Sequence, residues 1–303
     1  MITAPLDVID KRNNLYKLGI DLNIPNQFAL PMGSYGRELL KQVLPFALPH
    51  FLGTSSTESV GANSTTVVTL RIPSEMIFVW TALTASPSPS TLSIKIINPS
   101  NGIEYMRSAV PSTIIAGVGT RPYRLTVPTV FHPNTDIVLE LTNTGGSAVT
   151  PNVTFLGHAI FINQITEEKA RILADRSVPM VYHYWYLTDT YPITVTTTVT
   201  EYATSILKNG DFIAQQLLVG YTSDFFVDMW QIRNGRDIIK NGVASAVFGS
   251  GEYNPFLAYP LFLPRGEQLV WSLWTGSGTS TARIIVGGIF VPAGITDFYE
   301  KRT

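Results

Sequence analysis

Four features that follow one another between residues 92 and 161 recur in the same order between residues 225 and 290. Leu92-Ser-Ile-Lys-Ile-Ile97 ahead of Asn101-Gly102 answers to Phe225-Phe-Val-Asp-Met-Trp230 ahead of Asn234-Gly235. Arg121-Pro122-Tyr123-Arg124-Leu125 answers to Asn254-Pro255-Phe256-Leu257-Ala258, the run Phe131 to Leu139 to the run Phe262 to Val270, and Gly157-His158-Ala159-Ile160-Phe161 to Val286-Gly287-Gly288-Ile289-Phe290. The offset of roughly 130 residues is the length of a duplicated domain and far too long for a solenoid repeat. Each matched piece is an apolar run that enters or leaves a turn fixed by Pro or Asn-Gly. The chain is thereby constrained to two copies of one unit, with Phe131 and Phe262 expected at equivalent places.

The unit is read as a β-sandwich. Short runs of β-branched and aromatic residues, namely Thr65 to Ile72, Met76 to Thr84, Leu92 to Ile97, Asp136 to Asn143 and Asn152 to Ile162, are separated by Ser86-Pro87-Ser88-Pro89, Asn98-Pro99-Ser100-Asn101-Gly102 and Asn143-Thr144-Gly145-Gly146. These are strands and turns by their own residue chemistry. In the second half Thr194 to Thr200, Gln216 to Val219, Phe225 to Ile232, Leu269 to Trp274 and Arg283 to Val291 read as strands, with turns at Asn209-Gly210, Asn234-Gly235 and Asn241-Gly242. Charged residues make up 14% of the 303 residues, against roughly 25% in ordinary soluble domains, while 45% are hydrophobic, enough for two cores.

Two segments depart from this pattern. Residues 1–53 are punctuated by Pro5, Pro25, Pro31, Pro45 and Pro49 and show no sustained period, so an extended N-terminal arm is expected. Leu15, Leu18 and Phe28 are its candidate interface residues, because the prolines keep the arm from forming a sheet or long helix in which to hide them. Gln164 to Ser177 carries the densest charge in the chain around Ile165, Ala170, Ile172 and Leu173, a composition that predicts a short linker helix with Thr166 as N-cap. The expected division is an arm at 1–53, a first sandwich at 54–163, a linker helix at 164–180, and a second sandwich with a C-terminal tail at 181–303.

A net charge of −1 and a pI of about 6.4 supply no field for a nucleic-acid backbone. The absence of cysteine excludes disulfides, thiolate metal sites and a thiol nucleophile. Apolar windows are broken well before the roughly 18 residues needed to cross a bilayer, and no basic leader precedes an apolar stretch, so neither membrane contact nor export is expected. His50, His132, His158 and His183 lack metal-pair spacing, and neither a nucleophile elbow nor a phosphate loop occurs. No catalytic, metal or cofactor-binding residue is therefore expected. Asp224 and Asp228, with Glu252 nearby, are read as solvated sandwich edges, the alternative being a glycosidase pair. The run Tyr182-His183-Tyr184-Trp185-Tyr186 is the strongest contact candidate. Its Tyr182, Tyr184, Trp185 and Tyr186 suit either stacking on sugar rings or an interdomain or intersubunit contact, and the contact is favoured because the run follows the linker directly.

The Asn-Gly turn, the aromatic-Pro corner Phe262-Leu263-Pro264-Arg265-Gly266, the strand Gln268 to Trp274 and the Gly-rich closing strand Val286 to Val291 together resemble the β-sandwich modules of tailed-bacteriophage virion structural proteins. The first half departs from that pattern at His132 and Asn134. The resemblance implies two tandem jelly-roll-like sandwiches in an all-β, non-enzymatic component of the virion. Such a component forms a homo-oligomer and contacts other virion proteins, with no cofactor. A carbohydrate-binding module that takes a host glycan is the alternative.

Overall fold

A computed structural model of the chain describes residues 47–54, 58–166, 181–231, 236–249 and 256–293. The protein is all-β. Its first half holds β1 (Leu48–Gly53), β2 (Ser64–Arg71), β3 (Met76–Ser86), β4 (Leu92–Asn98), β5 (Ile103–Glu104), β6 (Val110–Pro111), β7 (Tyr123–Phe131), β8 (Asp136–Asn143) and β9 (Asn152–Phe161). The second holds β10 (Tyr182–Leu187), β11 (Ile193–Val195), β12 (Thr200–Ser205), β13 (Gly210–Tyr221), β14 (Phe226–Gln231), β15 (Arg236–Ala244), β16 (Phe256–Leu263), β17 (Gln268–Trp274) and β18 (Ser280–Pro292).

The two halves have one topology. Sheets β1-β9-β3-β7 and β2-β8-β4-β5 form the first sandwich, and sheets β10-β18-β13-β16 and β12-β17-β14-β15 form the second. With the short β6 and β11 set aside, each half runs 1-8-3-6 in one sheet and 2-7-4-5 in the other, the strand order of a jelly roll. Strands exposed on one face alternate: β4 buries Leu92, Ile94, Ile96 and Asn98, and β8 buries Ile137, Leu139, Leu141 and Asn143. The central β3, β13 and β18 are buried almost continuously, since both their faces are covered.

The duplication extends to irregular details. The β3 register breaks between Trp80 and Ala82, and that of β13 breaks between Ala214 and Gln216. Trp80 pairs with Gly157 and Ala214 with Gly288, and a Cβ at either glycine would lie 2.1 Å from a backbone carbonyl, of Val79 or of Ile213. Both bulges therefore require glycine on the neighbouring strand. Gly117 bridges Thr84 and Gly249 bridges Leu218, each in parallel and each following a helical turn, Ser112–Ile115 or Ser245–Val247. Pro128 in β7 and Pro260 in β16 sit in the unpaired stretch of an edge strand, where no ladder donor is needed.

These registers correct the repeat as read from sequence. Gly157 corresponds to Gly288, two residues beyond the Val286 of the sequence match. Phe131 pairs with Phe78, whereas Phe212, the counterpart of Phe78, pairs with Leu263. Leu263 is therefore the equivalent of Phe131. Phe262 lies on the opposite face of its strand, because a one-residue slip turns every side chain over.

Further corrections follow from pairing. Leu48–Gly53, expected in the arm, is an edge strand of the first sandwich and pairs with β9 from Leu48↔Ala159 to Gly53↔Thr154. The β-branched run Thr194 to Thr200 is two strands in different sheets, β11 against β18 and β12 against β17, because the chain crosses between layers at Thr196–Val199. Asn241-Gly242 is a bulge with positive φ at both residues (67° and 70°), held by Gly242 N–H donating to Asp228 Oδ1 at 2.8 Å, and it does not end a strand. Ile162–Gln164 is a 3-10 turn after which Ile165 is extended. Residues 167–180 of the expected linker, and Leu15, Leu18 and Phe28, lie outside the described residues.

Candidate functional site

The richest assembly of side chains is the seam between the sandwiches, built on β10. All six β10 residues are buried, which explains why the run lacks the alternation of a half-exposed strand. Tyr182, Tyr184 and Tyr186 face their own sandwich, with ring centroids 5.1 Å (Tyr182–Phe290), 5.9 Å (Tyr184–Phe290) and 4.7 Å (Tyr186–Phe212) apart, and Tyr182 also meets Tyr105 of the first sandwich edge-on at 5.7 Å. His183 and Trp185 face the first sandwich: Trp185 lies 5.6 Å from Tyr123 and 6.1 Å from Trp80. The outer edge of β10 is closed by the first sandwich too, where Trp185 N–H donates to the Tyr105 carbonyl at 3.0 Å.

A hydrogen-bond network crosses this seam without exposure to water. Trp185 Nε1 donates to Tyr123 Oη (2.9 Å), which donates to Gln216 Oε1 (2.7 Å), and Gln216 Nε2 donates to the Arg124 carbonyl (3.3 Å). The Thr126 backbone N–H donates to His183 Nδ1 at 3.1 Å, with the Thr126 hydroxyl 2.8 Å from the same nitrogen. Nδ1 is therefore the lone-pair nitrogen, and the ring proton sits on Nε2, 3.5 Å from Tyr123 Oη. Burial pushes His183 down to about 3 and the Tyr123 and Tyr105 hydroxyls far above their ordinary value; Tyr184 is pushed up to about 12. All stay neutral across physiological pH. Gly287 makes room, since a Cβ there would lie 2.8 Å from Gln216 Oε1 and 3.1 Å from Tyr123 Oη.

At the rim, Arg107 of the first sandwich donates from Nη2 to the carbonyls of Asp189 (2.7 Å) and Thr188 (3.3 Å) of the second. Ile114 packs over Gly220, where a Cβ would come within 2.4 Å of Ile114 Cδ1. A cleft of about 370 Å3 lies beside this contact, between Ser88 and Thr113 on one side and Val219 and Tyr221 on the other.

The four aromatic candidates of the 182–186 run are thus brought together, but inside the chain, closed to sugar and to any second subunit alike. Asp224 and Asp228 have separate structural partners: Ser245 Oγ donates to Asp224 Oδ1 at 3.4 Å, and Asp228 holds the Gly242 bulge. Glu252 lies outside the described residues. Among the described residues no group of three or more His, Asp or Glu side chains gathers to hold a metal ion. Sequence reasoning passed over Tyr123, Thr126 and Gln216. The available signal was Gln215-Gln216 in the middle of an apolar strand, since a buried amide demands partners.

No family profile and no curated protein sequence matches the chain. Among solved structures, the major capsid protein P2 of bacteriophage PM2 is similar at 13% identity and a TM-score of 0.40, over 80% of this chain and 98% of that one. The CUB1-EGF-CUB2 domains of rat MASP-1 align at 6% identity and a TM-score of 0.23, over 78% and 96%. The triple jelly roll protein of an archaeal virus with a turret assembly aligns at 12% identity and a TM-score of 0.22, over 82% of this chain and 61% of that one.

Proposed function

We propose that the chain is a non-enzymatic structural subunit of a virion, of the tailed-phage type, that works through contacts with other subunits. The observation that carries this reading is the seam: one continuous hydrophobic core runs through both sandwiches, which makes them a single rigid block. Such a block transmits load and presents fixed faces. The exposed apolar side chains Leu48 (50%), Phe51 (63%) and Val67 (61%) sit on the outermost strands of the first sandwich, and among the described strands β1 pairs with β9 alone. An apolar edge of that kind invites association. The test is the mass of the purified full chain across concentration, together with mass spectrometry of purified parent particles. Oligomers and presence in the particle are expected; a chain that stays monomeric and is absent from particles overturns the reading.

A second reading, carbohydrate binding, is favoured by one observation. On the outer face of the β12-β17-β14-β15 sheet, Phe226 stacks on Trp274 at 5.7 Å. Half-exposed stacked rings offer flat apolar area to a sugar. Glycan-array binding that disappears in Trp274→Ala supports this reading, and no binding by the unaltered chain removes it.

A further inference from the structure

The contact between the sandwiches is a docking of two different faces, and the duplication gives each sandwich both of them. In the chain, the second sandwich offers the β10 face and Gly220, while the first offers β7 and the helical turn with Ile114. Because Gly157 corresponds to Gly288, His50↔Gly157 aligns with Tyr184↔Gly288. Phe51 is then the counterpart of Trp185, and Pro49 that of His183. By the same register Ser86 is the counterpart of Gly220, since Thr84 and Leu218 make the equivalent bridges. The helical turn Ser245–Val247 is the counterpart of the turn that carries Ile114.

Each sandwich therefore has one such face in use and one left over. Trp185 is fully buried against the first sandwich, whereas Phe51 is 63% exposed; Ile114 is buried against Gly220, whereas Val247 is 66% exposed. Val247 and Phe51 are the two most exposed large hydrophobics among the described residues, and they belong to the two complementary unused faces.

We propose that a second copy of this chain completes the pattern, with the Phe51 face of one first sandwich docked on the Val247 face of the next chain's second sandwich, head to tail. This rests on the reading of the chain as a self-associating structural subunit, and it names the surface. Contact of this kind is heterologous, so it closes into a ring of alternating sandwiches or continues as an open filament, depending on the rotation per step. On the unused face of the first sandwich Pro49 and Phe51 replace His183 and Trp185, so the hydrogen bonds that those two side chains make in the seam are not repeated there. The contact between chains is thus apolar and simpler than the one within the chain, as suits subunits that must first be made separately.

The chain has no cysteine, so introduced thiols report proximity cleanly. Ser86 and Val247 are both exposed, and the counterpart contact brings Ile114 Cγ1 to 3.1 Å from an ideal Cβ at Gly220, a spacing that a disulfide spans. Full-length S86C and V247C chains are mixed, oxidised and separated without reductant. The expected result is a disulfide between an S86C chain and a V247C chain, no dimer from either alone, and at least a tenfold loss of the mixed product when Phe51→Asp is added to the S86C chain. Homotypic cross-links, or assembly with no cross-link of either kind, overturn the head-to-tail contact while leaving the structural-subunit reading standing. Chains that do not associate at all by sedimentation overturn both.

Discussion

Tyr123 Oη accepts from Trp185 and donates to Gln216, and it faces the protonated nitrogen of His183. Tyr123→Phe removes one oxygen and leaves several buried polar groups without their partner, so a loss of about 3 kcal/mol is expected, beyond the roughly 1 kcal/mol of a single hydrogen bond. Urea unfolding with an unchanged m-value measures it, and a loss under about 1 kcal/mol would show the network to be slack. His183 gives a pH prediction of definite sign. Its ring is held neutral in the fold down to about 3, against 6.5 when exposed, so the unfolded chain binds the extra proton between those values. Stability is full above about pH 6.5 and falls by up to about 1.4 kcal/mol per pH unit on acidification, levelling near pH 3. His183→Gln, which keeps an acceptor and a donor but gains no proton, should flatten that slope; an equal slope in the variant assigns the acid sensitivity to other groups. Of this network only the amide pair Gln215-Gln216 leaves a sign in the sequence, because Tyr123, Thr126, His183 and Gln216 meet only through the docking of two domains. What was legible was the aromatic density of 182–186, without the partners that the run meets.

At the scale of elements, the alternating strands were the ones whose bounds could be read most closely. Asp136–Asn143 was bounded to the residue because one of its faces is wet, and the Asn-Gly, Ser-Pro and Gly-Gly turns around it carry their own chemistry. Strands covered on both faces, such as β10, or interrupted by Pro, such as β7 and β16, gave no period to read. The repeat was visible as an order of features, yet its register slipped by one or two residues, since Phe262 and Leu263 are equally apolar and only pairing decides which faces the core. Pro49 breaks the pattern of β1 and makes it look like part of the arm, although an edge strand tolerates proline. Its contribution is measurable. Deletion of residues 1–47 keeps β1, whereas deletion of 1–53 strips it from β9 and uncovers the inner β9 side chains Phe155 and Ala159. The longer deletion should unfold at lower urea than the shorter by the equivalent of about 2 to 4 kcal/mol, the cost of re-exposing one or two large side chains plus a strand's pairing. Equal midpoints would mean that β1 is decoration on a sandwich complete without it.

The whole molecule is the scale at which duplication and seam compete. Two copies of one sandwich, each with its own pair of sheets, are expected to unfold independently unless the contact between them is worth more than the difference in their own stabilities. Here Trp80, Tyr105 and Tyr123 of one sandwich and Tyr182 and Trp185 of the other belong to a single buried cluster, so opening the seam strands apolar surface on both sides. Burial of a Trp alone is worth roughly 3 kcal/mol or more, and the network adds to it. The prediction is one calorimetric transition at neutral pH with van't Hoff and calorimetric enthalpies equal. For a chain of this size that enthalpy is about 200 kcal/mol, against about half as much for each sandwich melting alone. Trp185→Ala attacks the seam and spares the inner core of the second sandwich, because its side chain points out of β10 toward Trp80 and Tyr123 of the first. The expected effect is a split into two transitions, each with roughly half the van't Hoff enthalpy, and with the β-sheet dichroism of the unheated protein preserved. A single transition moved down by a few degrees would instead mean that the sandwiches are coupled through the rim contacts Arg107–Asp189 and Ile114–Gly220, and that the aromatic seam fills space between bodies already fixed.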